Sequence, residues 1–116
     1  MGPMDFIFLR THNGPVTNVP QLVTHHSPTG FEWGYGGSGP ADLALNILEF
    51  VLRDSEYDGP KMKTWDGKEC FAASWFMHQT FKREIIANIP RDGSHKMTFL
   101  YVMNWIDLNM PQRSIL

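Results

Sequence analysis

A single cysteine, Cys70, is all the chain possesses, so no internal disulfide can form and the stapled scaffolds of small secreted domains are excluded. A reducing compartment suits it. No apolar run approaches the roughly 20 residues needed to cross a bilayer. The opening Met1-Gly2-Pro3-Met4-Asp5 carries no basic flank of the kind that marks a signal peptide. The expected location is therefore the cytoplasm, with no membrane partner. Positive charge is missing over a long stretch, since no Lys or Arg falls between Arg10 and Arg53. That gap counts against a phosphate or nucleic-acid site there, because such sites are built with cations. Internal repeats, low-complexity tracts and linkers are also lacking. With 116 residues, 42% of them apolar and 19% charged, the chain reads as one domain, 1–116, with residues 1–4 and 111–116 expected to fray.

What is present begins with Phe6-Ile7-Phe8-Leu9, a continuous apolar run that reads as a buried strand, followed by a turn at Thr11-His12-Asn13-Gly14-Pro15. Leu22-Val23-Thr24 is a candidate second strand. In Phe31-Glu32-Trp33-Gly34-Tyr35 the aromatics alternate, which predicts a strand with one aromatic face. Gly36, Gly37 and Gly39 then break it. Pro40 suits the first turn of a helix, so a mostly buried helix is expected from about Pro40 to Asp54, with Asp42 at its positive end. Lys61 to Thr64 reads as a short edge segment turned by Trp65-Asp66-Gly67. From Glu69 to Asn88 the spacing is helical, with Ala73, Met77, Phe81 and Ile85 forming one stripe. Lys96 to Leu108 is apolar on both alternating faces and is expected to return as a long strand. Together these predict an α+β domain, a small and largely antiparallel sheet packed against two main helices.

Candidate sites are few. The glycine segment could cradle phosphate with backbone N–H groups, but it lacks the phosphate-loop Lys and sets Asp42 where phosphate would be repelled, so a sharp turn explains it better. His25, His26, Glu32 and Asp42 are possible metal ligands. Adjacent histidines on extended backbone point apart, however, and the expectation is no metal and no cofactor. Ser38 in Gly36-Gly37-Ser38-Gly39-Pro40 departs from the nucleophile-elbow pattern at its last position and reads instead as a helix cap. Cys70 reads as a small apolar helix residue and His78, beside Trp75, as a partly buried one. No catalytic residue is assigned.

Charge is uneven: residues 1–60 hold two cations against seven acids, residues 61–116 eight against five. Lys82 and Arg83, among the cations of the second half, are the residues a nucleic acid would meet. The net charge of −2 makes that the less favoured reading.

The block His26-Ser27-Pro28-Thr29-Gly30-Phe31-Glu32-Trp33-Gly34-Tyr35-Gly36-Gly37-Ser38-Gly39-Pro40-Ala41-Asp42-Leu43-Ala44 resembles a family of small uncharacterised domains of bacteria and their phages. Phe81-Lys82-Arg83-Glu84-Ile85-Ile86-Ala87-Asn88-Ile89-Pro90 is similar to that family's later helix. The resemblance covers about half the chain and implies a small α+β domain, phage-encoded and acting in the host cytoplasm, with no chemistry to carry over.

Four Trp, three Tyr, eight Phe and seven Met exceed what a small core needs, and interfaces are enriched in such residues. These counts point to non-catalytic protein binding, with a homodimer as the other arrangement, and the phage-type resemblance implies a host or phage protein as partner, with modulation or inhibition of a host or defence protein as the expected function. Glu32, Trp33, Tyr35, Gly36, Gly37, Ser38, Asp42, Trp65 and Trp105 are the candidate contact residues. The alternative is a phosphate-, nucleotide- or metal-dependent activity at the glycine-rich loop, or nucleic-acid binding by Lys82 and Arg83.

Overall fold

A computed structural model describes residues 3–27 and 30–110. The expected frayed ends at 1–2 and 111–116, and Pro28 and Thr29 of the resemblance block, lie outside the described residues. The fold is α+β, as expected, with an antiparallel sheet and a separate two-stranded ribbon around a central helix.

Strand β1 (Phe6–Thr11) is covered on one face only: Phe6 and Phe8 are fully buried, while Ile7 and Leu9 point outward and stay over a third exposed. The continuous apolar run is thus a one-faced strand, not a fully buried one. The expected turn returns as β2 (Gly14–Thr17), with Gly14 at φ 115° supplying the left-handed conformation that closes it. Strand β5 (Ser94–Met97) pairs antiparallel with the other edge of β1, giving the order β2-β1-β5. Pro15 is tolerated because β2 is an edge strand.

Helix α1 (Ser38–Asp54) is the axis of the molecule, with every residue from Gly39 to Leu52 buried. Its Leu43, Ile47, Leu48, Phe50 and Val51 make the core with Phe6, Phe8 and Trp33. It starts two residues before Pro40, since the Gly37 carbonyl already accepts the Ala41 N–H at 3.0 Å. Helix α2 (Ala72–Glu84) lays the stripe Ala73, Met77 and Phe81 against it.

Four expected elements differ. The helix predicted from Glu69 is preceded by β4 (Glu69–Phe71), which pairs with β3 (Lys61–Lys63), so Cys70 lies buried in a strand; a 3₁₀ turn at Ile86–Asn88 completes the segment. Lys96 to Leu108 is not one long strand: it leaves β5 at Met97 and becomes helix α3 (Phe99–Asn109). Thr98 is the reason. Its Oγ1 accepts the Tyr101 N–H at 3.0 Å, capping a helix whose Phe99, Val102, Met103 and Ile106 recur every three or four residues. In so uniformly apolar a stretch the period of two and the period of 3.6 overlap, and the groups that receive the first N–H groups of the helix discriminate.

Leu22–Thr24 and Phe31–Tyr35 are not strands. The aromatic alternation fails physically at Gly34, whose φ of 87° turns the chain and whose N–H donates to the Ile86 carbonyl. Trp33 is thereby fully buried while Tyr35 is 42% exposed.

Candidate functional site

Helix α1 carries a polar stripe that its apolar neighbours conceal. Asp42, Asn46 and Glu49, each at most 2% exposed, recur at the four- and three-residue steps that share a helix face, and Arg53 continues them. Asp42 and Asn46 hold irregular chain, and Glu49 holds the junction of β4 and α2. Asp42 carboxylate oxygens accept the N–H groups of His25, His26 and Ser27 at 2.8–3.2 Å. Asn46 Oδ1 accepts from Leu22 and Val23 N–H, and its Nδ2 donates to the Val23 and Asp42 carbonyls. Glu49 accepts from the Phe71 N–H and the Ser74 hydroxyl, and pairs with Arg53 at 2.7 Å. Buried polar backbone has to find partners, and here helix side chains supply what a neighbouring strand would have supplied. That is why residues 22–27 keep a fixed path without pairing as a strand.

The anchored segment delivers two histidines to α2. His26 Nε2 lies 2.9 Å from His78 Nε2, and His78 Nδ1 lies 2.6 Å from the Trp75 carbonyl. A carbonyl only accepts, so His78 Nδ1 carries the proton and its Nε2 is the acceptor for the His26 Nε2–H. Burial holds the His78 imidazole down to about 4 and lowers His26 as well, so both rings are neutral near pH 7. Next to them His25 packs edge-on against Trp75, with ring centroids 4.4 Å apart, while Trp75 stacks on the His26 ring.

His25 Nδ1 accepts the Trp65 N–H at 2.9 Å, which ties this cluster to the β3–β4 turn. The turn is fixed further by Asp66, whose carboxylate accepts from Thr24 N–H and the Thr64 hydroxyl; these bonds keep its pKa below the ordinary range although partial burial opposes them. Trp65 itself is 68% exposed. The result is a large aromatic side chain in solvent on a clamped backbone, flanked by half-buried His25 and Trp75.

The glycine-rich stretch forms a second cluster. Glu32 receives a two-pronged guanidinium from Arg10, both bonds 2.8 Å, and this pairing holds its carboxyl below the ordinary range. The same guanidinium lies over Trp33, 4.8 Å from the ring centroid, and Arg91 lies over Tyr35 at 5.3 Å. A segment without cations in sequence thus meets two in space, one of them already neutralised by Glu32. Gly36 is exposed and Gly37 is the N-cap of α1. Ser38 is not the cap: it is the first helical residue and makes no capping hydrogen bond, because the extended Gly37 starts the helix one position earlier. Asp42 accordingly sits in the second turn, buried, and not as a charge at the helix start.

The candidate contact residues therefore divide. Asp42 and Trp65 share the histidine cluster, bridged by His25; Glu32, Trp33, Tyr35, Gly36, Gly37 and Ser38 line the second cluster. Trp105 belongs to neither and is core: it packs on Phe81 at 4.8 Å, its Nε1 donates to Glu84, and only 8% is exposed. Trp33 is likewise removed from any surface role by full burial. Lys82 carries its charge close enough to His26 to lower that ring's pKa, and Arg83, exposed, donates to Thr80. Burial pushes the Cys70 thiol up to about 11, which makes it a poor nucleophile. Among the described residues, no group of three or more His, Cys, Asp or Glu is placed to hold a metal ion. Nor is any described helix long and apolar enough to cross a membrane.

The polar stripe and the meeting of His25 and His26 with Trp75 and His78 are what the sequence reading missed. The stripe was legible, as Asp42, Asn46, Glu49 and Arg53 at helical spacing in an otherwise apolar helix. The histidine cluster was not, since 52 residues separate its two bonded rings.

No curated protein and no solved structure matches the chain. A family profile does, over residues 7–108, which take in every strand but for the first residue of β1, all but the last residue of α3 and both clusters. The chain belongs to that family, the family of unknown function DUF6166.

Proposed function

We propose that the domain works without catalysis, by presenting the Trp65 turn and the adjoining His25–Trp75 surface to a protein partner, a host or phage protein whose activity it modulates. The observation that carries this reading is the combination of 68% exposure at Trp65 with a backbone fixed by His25, Asp66 and Thr24. A solvent-facing Trp is a frequent binding hot spot, and a backbone already held in place loses little entropy when it docks. The polar groups around it are committed to structure: Asp42 to three amides, His78 to Trp75 and His26. They hold the surface in shape.

The test uses the tagged, folded domain to capture partners from bacterial lysate, with Trp65→Ala beside it, and then measures affinity for the purified partner. Trp65→Ala should keep the wild-type circular dichroism and melting temperature and weaken binding by about 30-fold, the effect of losing a hot spot of about 2 kcal/mol. A partner held equally by both forms would refute this surface, and a loss of binding accompanied by loss of fold would show Trp65 to be structural.

A further inference from the structure

The Trp65 turn and the histidine cluster are joined through one imidazole nitrogen. His25 Nδ1 accepts the Trp65 N–H at 2.9 Å, so the neutral ring carries its proton on Nε2 and gives its lone pair to the turn. A further proton on this ring can land only on Nδ1. It would set an N–H against the Trp65 N–H, donor facing donor. A carbonyl or carboxylate acceptor in this place would hold the turn throughout the neutral range, whereas imidazole is the side chain that changes charge there.

The bond cannot be recovered by turning the ring over, since that puts a carbon where the acceptor stood. The ring is also packed, edge-on to Trp75 at 4.4 Å and to His26 at 4.7 Å, with the His25 N–H held by Asp42. The charged and titratable groups around it are Asp42 on α1, His78 and Lys82 on α2, His26 on its own segment, and Asp66 with Lys68 at the β3–β4 turn. The two carboxylates favour the proton and the two lysines oppose it. A charge on His25 makes both His26 and His78 harder to protonate, so the cluster does not charge as a unit. His26 and His78 bond to each other and to the Trp75 carbonyl, and their protonation leaves the Trp65 bond untouched.

The rest of the turn is tied without histidine. The Asp66 N–H donates to the Thr24 carbonyl at 3.2 Å, and the Asp66 carboxylate accepts the Thr24 N–H at 2.9 Å. We propose that His25 is a proton-operated latch on the Trp65 turn, closed while the ring is neutral and opened by a proton on Nδ1, with the Asp66–Thr24 bonds as its hinge. The use of the latch, a contact surface that is rigid near neutral pH and loosened in acid, rests on the reading of Trp65 as the contact residue.

NMR of the ¹⁵N-labelled full chain, titrated from about pH 8 to about pH 5, reads the latch directly. A scalar coupling across the bond from the Trp65 N–H to His25 Nδ1 should be present at the neutral end and absent at the acid end, with the Trp65 amide shift following the His25 ring protons. Hydrogen exchange gives the size: relative to the Asp66 amide on the hinge, protection of the Trp65 amide should fall by roughly fivefold, the effect of losing one hydrogen bond. His25→Asn puts a side-chain oxygen that does not titrate where Nδ1 stood, and the fall should disappear; in His78→Gln it should remain. No coupling at neutral pH, or a coupling kept in acid, overturns the proposal in the wild type alone, whether or not either variant folds. A fall that survives His25→Asn, or that vanishes in His78→Gln, overturns it as well. None of these readouts involves a partner, so a latch that fails leaves the contact role of Trp65 standing, and a Trp65→Ala variant that binds normally removes that role while the latch is still decided by the titration.

Discussion

Replacing Asp42 by asparagine separates an anchoring residue from a ligand-binding one, since the shape is kept while the charge is lost. The carboxylate accepts three backbone N–H groups at a position with no solvent exposure. Hydrogen bonds to a charged group contribute about 1.5–3 kcal/mol each and neutral ones about 1, so neutralising the acceptor loses about 1 kcal/mol per bond. The asparagine amide nitrogen would also face a donor with a donor, at a cost of about 1–3 kcal/mol for the orphaned N–H. Relief from burying a charge returns part of this, and a net loss of about 3 kcal/mol is expected, a large share of the 5–15 kcal/mol typical of a domain. In urea, with a slope of about 1.5 kcal/mol per M, the midpoint should fall by about 2 M, followed by tryptophan fluorescence. Hydrogen exchange supplies the local reading: the amides of His25, His26 and Ser27 should lose protection more than those of β1. A cost below about 1 kcal/mol, or unchanged protection at those three amides, would refute the anchoring role.

The histidine cluster makes stability depend on pH. His78 titrates at about 4 in the fold against an ordinary 6.5, so the unfolded chain takes up the proton first and stability falls as pH drops through that window. The loss between pH 7.5 and 5 should be about 2 kcal/mol, with His26 shifted in the same direction, and His78→Gln should flatten the slope; an equal slope in that variant would contradict the assignment. Glu32→Gln removes the two-pronged pair with Arg10, which is partly exposed, and should cost about 1–2 kcal/mol by urea unfolding. Because the Glu32 carboxyl is held below 4.5, its contribution is present above that pH and lost as pH falls below it, and an unchanged midpoint in the variant at neutral pH would show the pair to be idle. The glycines should differ sharply. A Cβ at Gly39 would lie 2.9 Å from Glu32 Cβ and 3.3 Å from two backbone atoms, whereas one at Gly36 meets nothing within 4 Å. Gly39→Ala should destabilise by about 1–3 kcal/mol and Gly36→Ala by less than about 0.5, as read by thermal melting; equal effects would count against the tight approach at Gly39.

By itself the sequence determined whatever depends on neighbours along the chain. The apolar run of α1, the stripe Ala73, Met77 and Phe81 on α2, the β1 turn at Gly14 and the short segment at Lys61 follow from periodicity and turn chemistry, and with them the α+β class. The long strand drawn over α3 shows the limit of that reasoning: in an apolar stretch both periods fit, and the choice fell to Thr98 and to the Asp5 carboxylate accepting the Phe99 N–H. Tertiary structure alone decided the rest. Residues 22–27 became an anchored loop because α1 offered carboxylate and amide groups to its backbone, and Arg10 and Arg91 reached a segment that has no cation of its own. His26 met His78, Trp105 went into the core and Trp65 stayed in solvent. Each of these outcomes turns on which groups share a volume from which water is excluded, and that is set by how the helices and the sheet close on one another, not by what stands next to what along the chain.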